Sequence, residues 1–130
     1  MSSDAGDVHR IALSLPHATQ DGSKIRYLVD GGKAFAWTWK KRIEPKRARV
    51  EQLDVFAVRV ANEEEKQVLI ASDPAKFFTE PHYNGYPAVL VRLAEIDSDE
   101  LTELLMDAWR IAAPRKLVAE FDADPPRSGE

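Results

Sequence analysis

Lys24-Ile25-Arg26-Tyr27-Leu28-Val29-Asp30-Gly31-Gly32-Lys33-Ala34-Phe35-Ala36-Trp37-Thr38-Trp39 reads as two strands joined by a tight turn. Over Lys24 to Asp30 the side chains alternate, with Ile25, Tyr27 and Val29 on one side and Lys24, Arg26 and Leu28 on the other. Asp30-Gly31-Gly32 supplies turn chemistry, because glycine enters left-handed backbone regions at no steric cost. The partner strand, Lys33 to Trp39, sets Phe35, Trp37 and Trp39 against Ala34, Ala36 and Thr38, so its rings are expected to share a side. A third strand spans Asp54 to Val60, with Phe56, Val58 and Val60 opposite Val55, Ala57 and Arg59. Consecutive strands without a helix between them pair antiparallel through hairpins. The expected fold class is therefore α+β: an antiparallel meandering sheet with helices packed on one face.

The flanking segments supply those helices. Val8, Ile11, Ala12 and Leu15 fall at i, i+3, i+4 and i+7, one stripe of a first helix that Pro16 stops. Asn62-x-x-Glu65 and Asp97-x-x-Glu100 match helix N-terminal capping boxes, in which a short polar side chain accepts an orphan backbone N–H. The first opens a helix to about Ser72. The second precedes Leu101, Leu104, Leu105, Ala108, Trp109 and Ala112, an apolar face at helical spacing. Pro114 interrupts it, and Leu117, Val118 and Phe121 predict a short final helix whose first turn tolerates proline. Between the two capped helices, Phe77 to Leu93 (FFTEPHYNGYPAVLVRL) reads as a corner turning into a strand from Ala88. Residues 1–122 are expected to form one domain, and 123–130 a disordered acidic tail.

With 130 residues and no cysteine, the chain can bury a core but can build neither a disulfide framework nor a thiolate zinc site. The start of the chain lacks a basic and apolar leader, and no apolar run approaches the ~20 residues that cross a bilayer. A cytoplasmic protein without membrane contact is expected. The net charge of −4 disfavours a polyanionic partner on average, yet its distribution is uneven. From Lys40 to Arg49 the chain reads KKRIEPKRAR, with Lys40, Lys41, Arg42, Lys46, Arg47 and Arg49 opposed by Glu44 alone.

The pieces VHRIALSLP (8–16), GKAFA (32–36), PHYNGYPAVLV (81–91), AWR (108–110) and APRKL (113–117), in this order, resemble the MmcQ/YjbR family of small bacterial proteins. The resemblance spans nearly the whole domain. It implies an α+β fold similar to frataxin-type and secretion-chaperone-type domains, and a DNA-binding role through a double wing of hairpins.

The basic run gives that role a residue-level basis, since lysine and arginine neutralise phosphates and release condensed counterions whatever the base sequence. On the loop after the second strand it would form a wing, and Arg26, Arg59 and Arg92 would extend it if they share an exposed sheet face. Trp37 and Trp39 beside that face could stack unpaired bases. The alternative is a solvated charged loop with core tryptophans. A different class of function is a protein-interaction or chaperone-like module, or a homodimer, using an apolar face. A third is a small-ligand pocket lined by His82, Tyr83 and Tyr86 with Trp109, against which stands a turn that simply packs its own rings. His9, His17 and His82 lack metal-ligand spacing, and no nucleophile elbow, phosphate loop or HExxH is present. No metal, cofactor, catalytic residue or enzymatic activity is expected.

Overall fold

The computed structural model describes residues 2–22, 24–30, 33–41, 50–83 and 85–123. Its elements are α1 (Ala5–Ser14), β1 (Ala18–Gln20), β2 (Arg26–Val29), β3 (Ala34–Lys41), β4 (Val50–Arg59), α2 (Glu63–Ser72), β5 (Phe77–Phe78), β6 (Ala88–Arg92), α3 (Ser98–Ala112) and α4 (Arg115–Ala123). Short 3-10 turns occupy Pro81–Tyr83 and Leu93–Glu95. All strand pairs are antiparallel, in the order β1-β2-β3-β4-β6-β5. The meander holds through β4; β6 then takes the next place and β5 lies outside it. β1 and β5 add to the strands expected from the sequence.

Capping chemistry fixes the helix starts. Asn62 Oδ1 accepts the Glu65 amide at 2.8 Å, and Asp97 Oδ1 accepts the Glu100 amide at 2.8 Å. α1 carries a further capping box: the Asp7 amide donates to Asp4 Oδ1 and the Asp4 amide to Asp7 Oδ2, both at 3.0 Å. α4 begins directly after Pro114, whose carbonyl accepts the Val118 amide.

The register sorts the two faces of the sheet. Tyr27, Ala36, Val58 and Val89 are successive cross-strand partners, all buried in the main core. Val8, Ile11 and Ala12 of α1, Leu101, Leu105, Ala108, Trp109 and Ala112 of α3, and Phe121 of α4 complete that core. Burying so many apolar side chains is the dominant favourable term in folding, at about 25 cal/mol per Å² removed from water.

The expectation that Phe35 and Trp37 share a side is corrected. The β2–β3 register shifts between Tyr27 and Leu28, so that Tyr27 opposes Ala36 while Leu28 opposes Ala34, leaving Phe35 as the extra residue of a bulge. Phe35 thereby turns into the main core, whereas Trp37 packs on the opposite face. One inserted residue reverses the alternation, as a period of two requires.

Candidate nucleic-acid interface

The second face is built from the row Arg26, Trp37, Ala57, Leu90, Phe78, one residue from each of β2, β3, β4, β6 and β5. Ala57 and Leu90 are buried there with Val55, beneath Trp37, Phe78 and Tyr83. Among the described residues no apolar α-helical side chain belongs to this cluster.

Strand alternation brings three arginines to this face. Arg26 stands opposite Trp37, Arg59 lies two residues beyond Ala57, and Arg92 two residues beyond Leu90. Arg59 Nε donates to the Ala34 carbonyl at 2.7 Å, with its guanidinium 5.9 Å from the centre of the Trp37 ring. Arg92 donates to the Pro74 and Ala75 carbonyls at 3.3 and 3.1 Å and lies 4.0 Å from the centre of Phe78. Carbonyls and ring faces orient these cations without cancelling their charge. Arg26 has a carboxylate near it, Asp21 at 3.9 Å, and its side chain is half exposed.

The rings come from β3 and the corner before β6. Trp37 Nε1 donates to Tyr83 Oη at 3.1 Å. Tyr86 meets both Trp37 and Tyr83 edge-on, with centroids 6.2 and 6.0 Å apart, a favoured aromatic geometry. Trp37, Tyr83 and Tyr86 thus form one set of ring contacts at the corner before β6. Trp109 lies across the sheet in the main core, its Nε1 donating to the Pro16 carbonyl. The side chain of His82 lies outside the described residues.

Lys66 holds this corner from below. It is the buried residue of α2, with a relative exposure of 0%, and its Nζ donates to the Tyr83 carbonyl at 2.6 Å and the Tyr86 carbonyl at 3.2 Å. Glu63, one turn earlier, lies 3.6 Å from the ammonium. The Tyr86 amide donates back to the Tyr83 carbonyl, and Gly85 takes the left-handed φ of +76° that closes the turn. The sequence gives no hint of this role, because Glu63-Glu64-Glu65-Lys66 reads as a solvated helix face.

β3 and β4 continue past their neighbours as a two-stranded arm, pairing Trp39 with Gln52, Lys40 with Glu51 and Lys41 with Val50. The register shifts between Thr38 and Trp39, so the arm leaves the main sheet at an irregularity. Lys40 and Lys41 thus stand at the end of the arm. Arg42, Lys46, Arg47 and Arg49 lie outside the described residues, between the paired Lys41 and Val50.

Among the described residues no cluster of three His, Asp or Glu side chains is arranged to hold a metal ion, and no helix is long and apolar enough to cross a membrane.

Residues 13–111 match the family model described as YjbR. An uncharacterised protein of Mycobacterium tuberculosis and another of Mycobacterium bovis are each 41% identical over 124 residues, covering 91% of this chain and 95% of theirs. A crystal structure of a Deinococcus radiodurans protein with a DUF419 domain superposes with a TM-score of 0.56 at 14% identity, covering 99% of this chain and 94% of the other. That likeness shows the fold alone.

Proposed function

The chain belongs to the YjbR family, and on that premise we propose that it is a cytoplasmic DNA-binding protein that grips the phosphate backbone with low sequence selectivity. The β3–β4 arm, with Lys40, Lys41, Arg42, Lys46, Arg47 and Arg49, is the wing in this reading, and Arg59 and Arg92 extend the contact onto the sheet. The observation that carries it is the register, which gathers Arg26, Arg59 and Arg92 on the face opposite the main core. Phosphate contacts position a protein without reading sequence, and base edges are most often read by a helix in the major groove. Here the basic residues sit on strands and their connection, which favours backbone binding over base readout. No catalytic step is assigned to the protein.

Fluorescence anisotropy of labelled duplex DNA at several salt concentrations tests this. Contacts to about 4 to 6 phosphates predict a log–log slope of about −0.9 per phosphate. Replacing the six basic residues from Lys40 to Arg49 with glutamine is expected to flatten that slope and weaken binding alike for unrelated duplexes. Unchanged affinity in that variant would contradict the proposal.

A further inference from the structure

Tyr86 combines features that core packing does not require together. It is a large ring left 42% exposed, yet both its backbone and its ring are fixed. The buried Lys66 binds its carbonyl, the turn binds its amide, and Trp37 and Tyr83 flank its ring. A solvent-facing tyrosine with no partner gains little from being held so firmly. A ring that receives a ligand gains much, because no conformational freedom is then lost on binding.

The surroundings say what such a ligand carries. Trp37, in edge contact with Tyr86, has Arg26 directly opposite on β2 and Arg59 diagonal to it on β4. A part-exposed tyrosine ring, held edge-on between two other rings and bordered by cations, is complementary to a chain that alternates flat rings with negative charges. A duplex meets only part of that description, since its bases are stacked on one another and offer no free faces. An unpaired strand meets all of it, because every base presents a π-face to a protein ring while its phosphates reach neighbouring arginines.

We propose that Tyr86, supported by Trp37 and flanked by Arg26 and Arg59, is a stacking site for a base of single-stranded DNA. The inference rests on the nucleic-acid reading above and adds a preference for the unpaired strand on the sheet face, distinct from phosphate contacts along the arm. Lys66 acts as a positioning residue, since it touches the turn and not the strand.

The test compares short oligothymidine with a duplex of equal length, by anisotropy at one salt concentration, for the wild-type chain, Tyr86→Ala and Tyr86→Phe. One lost stacking contact predicts roughly tenfold weaker oligothymidine binding for Tyr86→Ala. Duplex binding should be unchanged, and Tyr86→Phe should retain most of the wild-type affinity because the ring remains. Matching circular dichroism spectra and melting curves would show that the alanine variant is folded. Full oligothymidine affinity in Tyr86→Ala, or an equal loss against the duplex, would overturn the stacking site. If the wild-type chain binds duplex but not oligothymidine, the stacking site alone fails. If it binds neither, the nucleic-acid reading fails with it.

Discussion

Lys66 bears most directly on how single side chains hold the open face in shape. A buried ammonium is costly unless its donors are satisfied, and here two turn carbonyls and a glutamate supply the partners. Lys66→Met keeps much of the aliphatic bulk but removes the charged donor from the Tyr83 and Tyr86 carbonyls, leaving each with one backbone amide. It should lower the unfolding free energy by about 2 to 3 kcal/mol in urea titration, the range for a hydrogen bond to a charged donor. Asp7 offers a test by pH. Its pKa is held below the ordinary carboxylate value, first by the hydrogen bond with the Asp4 backbone and then by Arg10. A depressed folded-state pKa stabilises above the unfolded value and loses that contribution as pH falls through the folded one. Amide exchange in the first turn of α1 should therefore accelerate, relative to its intrinsic rate, on acidification below the ordinary carboxylate range. Asp7→Asn should remove most of that dependence. Because Asp7 lies at the surface, the effect is local fraying rather than global unfolding.

Among the elements, α3 was plain in the sequence because its apolar spacing and its Asp97 cap point the same way. α4 was also legible, from Pro114 and the triplet Leu117, Val118 and Phe121. Its anchor is Phe121, 4% exposed, with its ring centre 4.9 Å from that of Trp109. Phe121→Ala should cost about 3 to 4 kcal/mol, measured by chemical denaturation, with exchange protection lost first in α4. β1 and β5 leave no local signature in the sequence, for a physical reason. Three residues and two residues are too few to show alternation, and such strands exist because a longer neighbour offers them hydrogen bonds. The bulge at Phe35 leaves none for a related reason, since a bulge is a property of a strand pair and not of either strand alone. The candidate site divides in the same way. Arg26, Arg59 and Arg92 could be placed together from alternation, whereas the contacts among Trp37, Tyr83, Tyr86 and Lys66 join parts of the chain that no local pattern connects.

Across the whole molecule, the main core and the arm are separate structures. The core lies between the sheet and α1, α3 and α4, while the arm continues past the register shift after Thr38. Changes of charge from Lys40 to Arg49 should therefore leave stability nearly untouched, within about 0.5 kcal/mol per substitution. The variant with all six basic residues from Lys40 to Arg49 replaced should melt close to the wild-type temperature by differential scanning calorimetry. Its DNA binding should fall at the same time. A variant that lost both together would indicate that the arm helps to hold the fold.

The strand order also governs how copies of the chain can meet. The outermost strands, β1 and β5, are three and two residues long, so each border of the sheet offers only a few backbone donors and acceptors. A border that short cannot template a continuous ladder with a neighbour, which is how sheet proteins commonly limit edge-to-edge aggregation. The protein can thus carry rings and arginines on the side of its sheet opposite the main core without the usual hazard of polymerising along its rim.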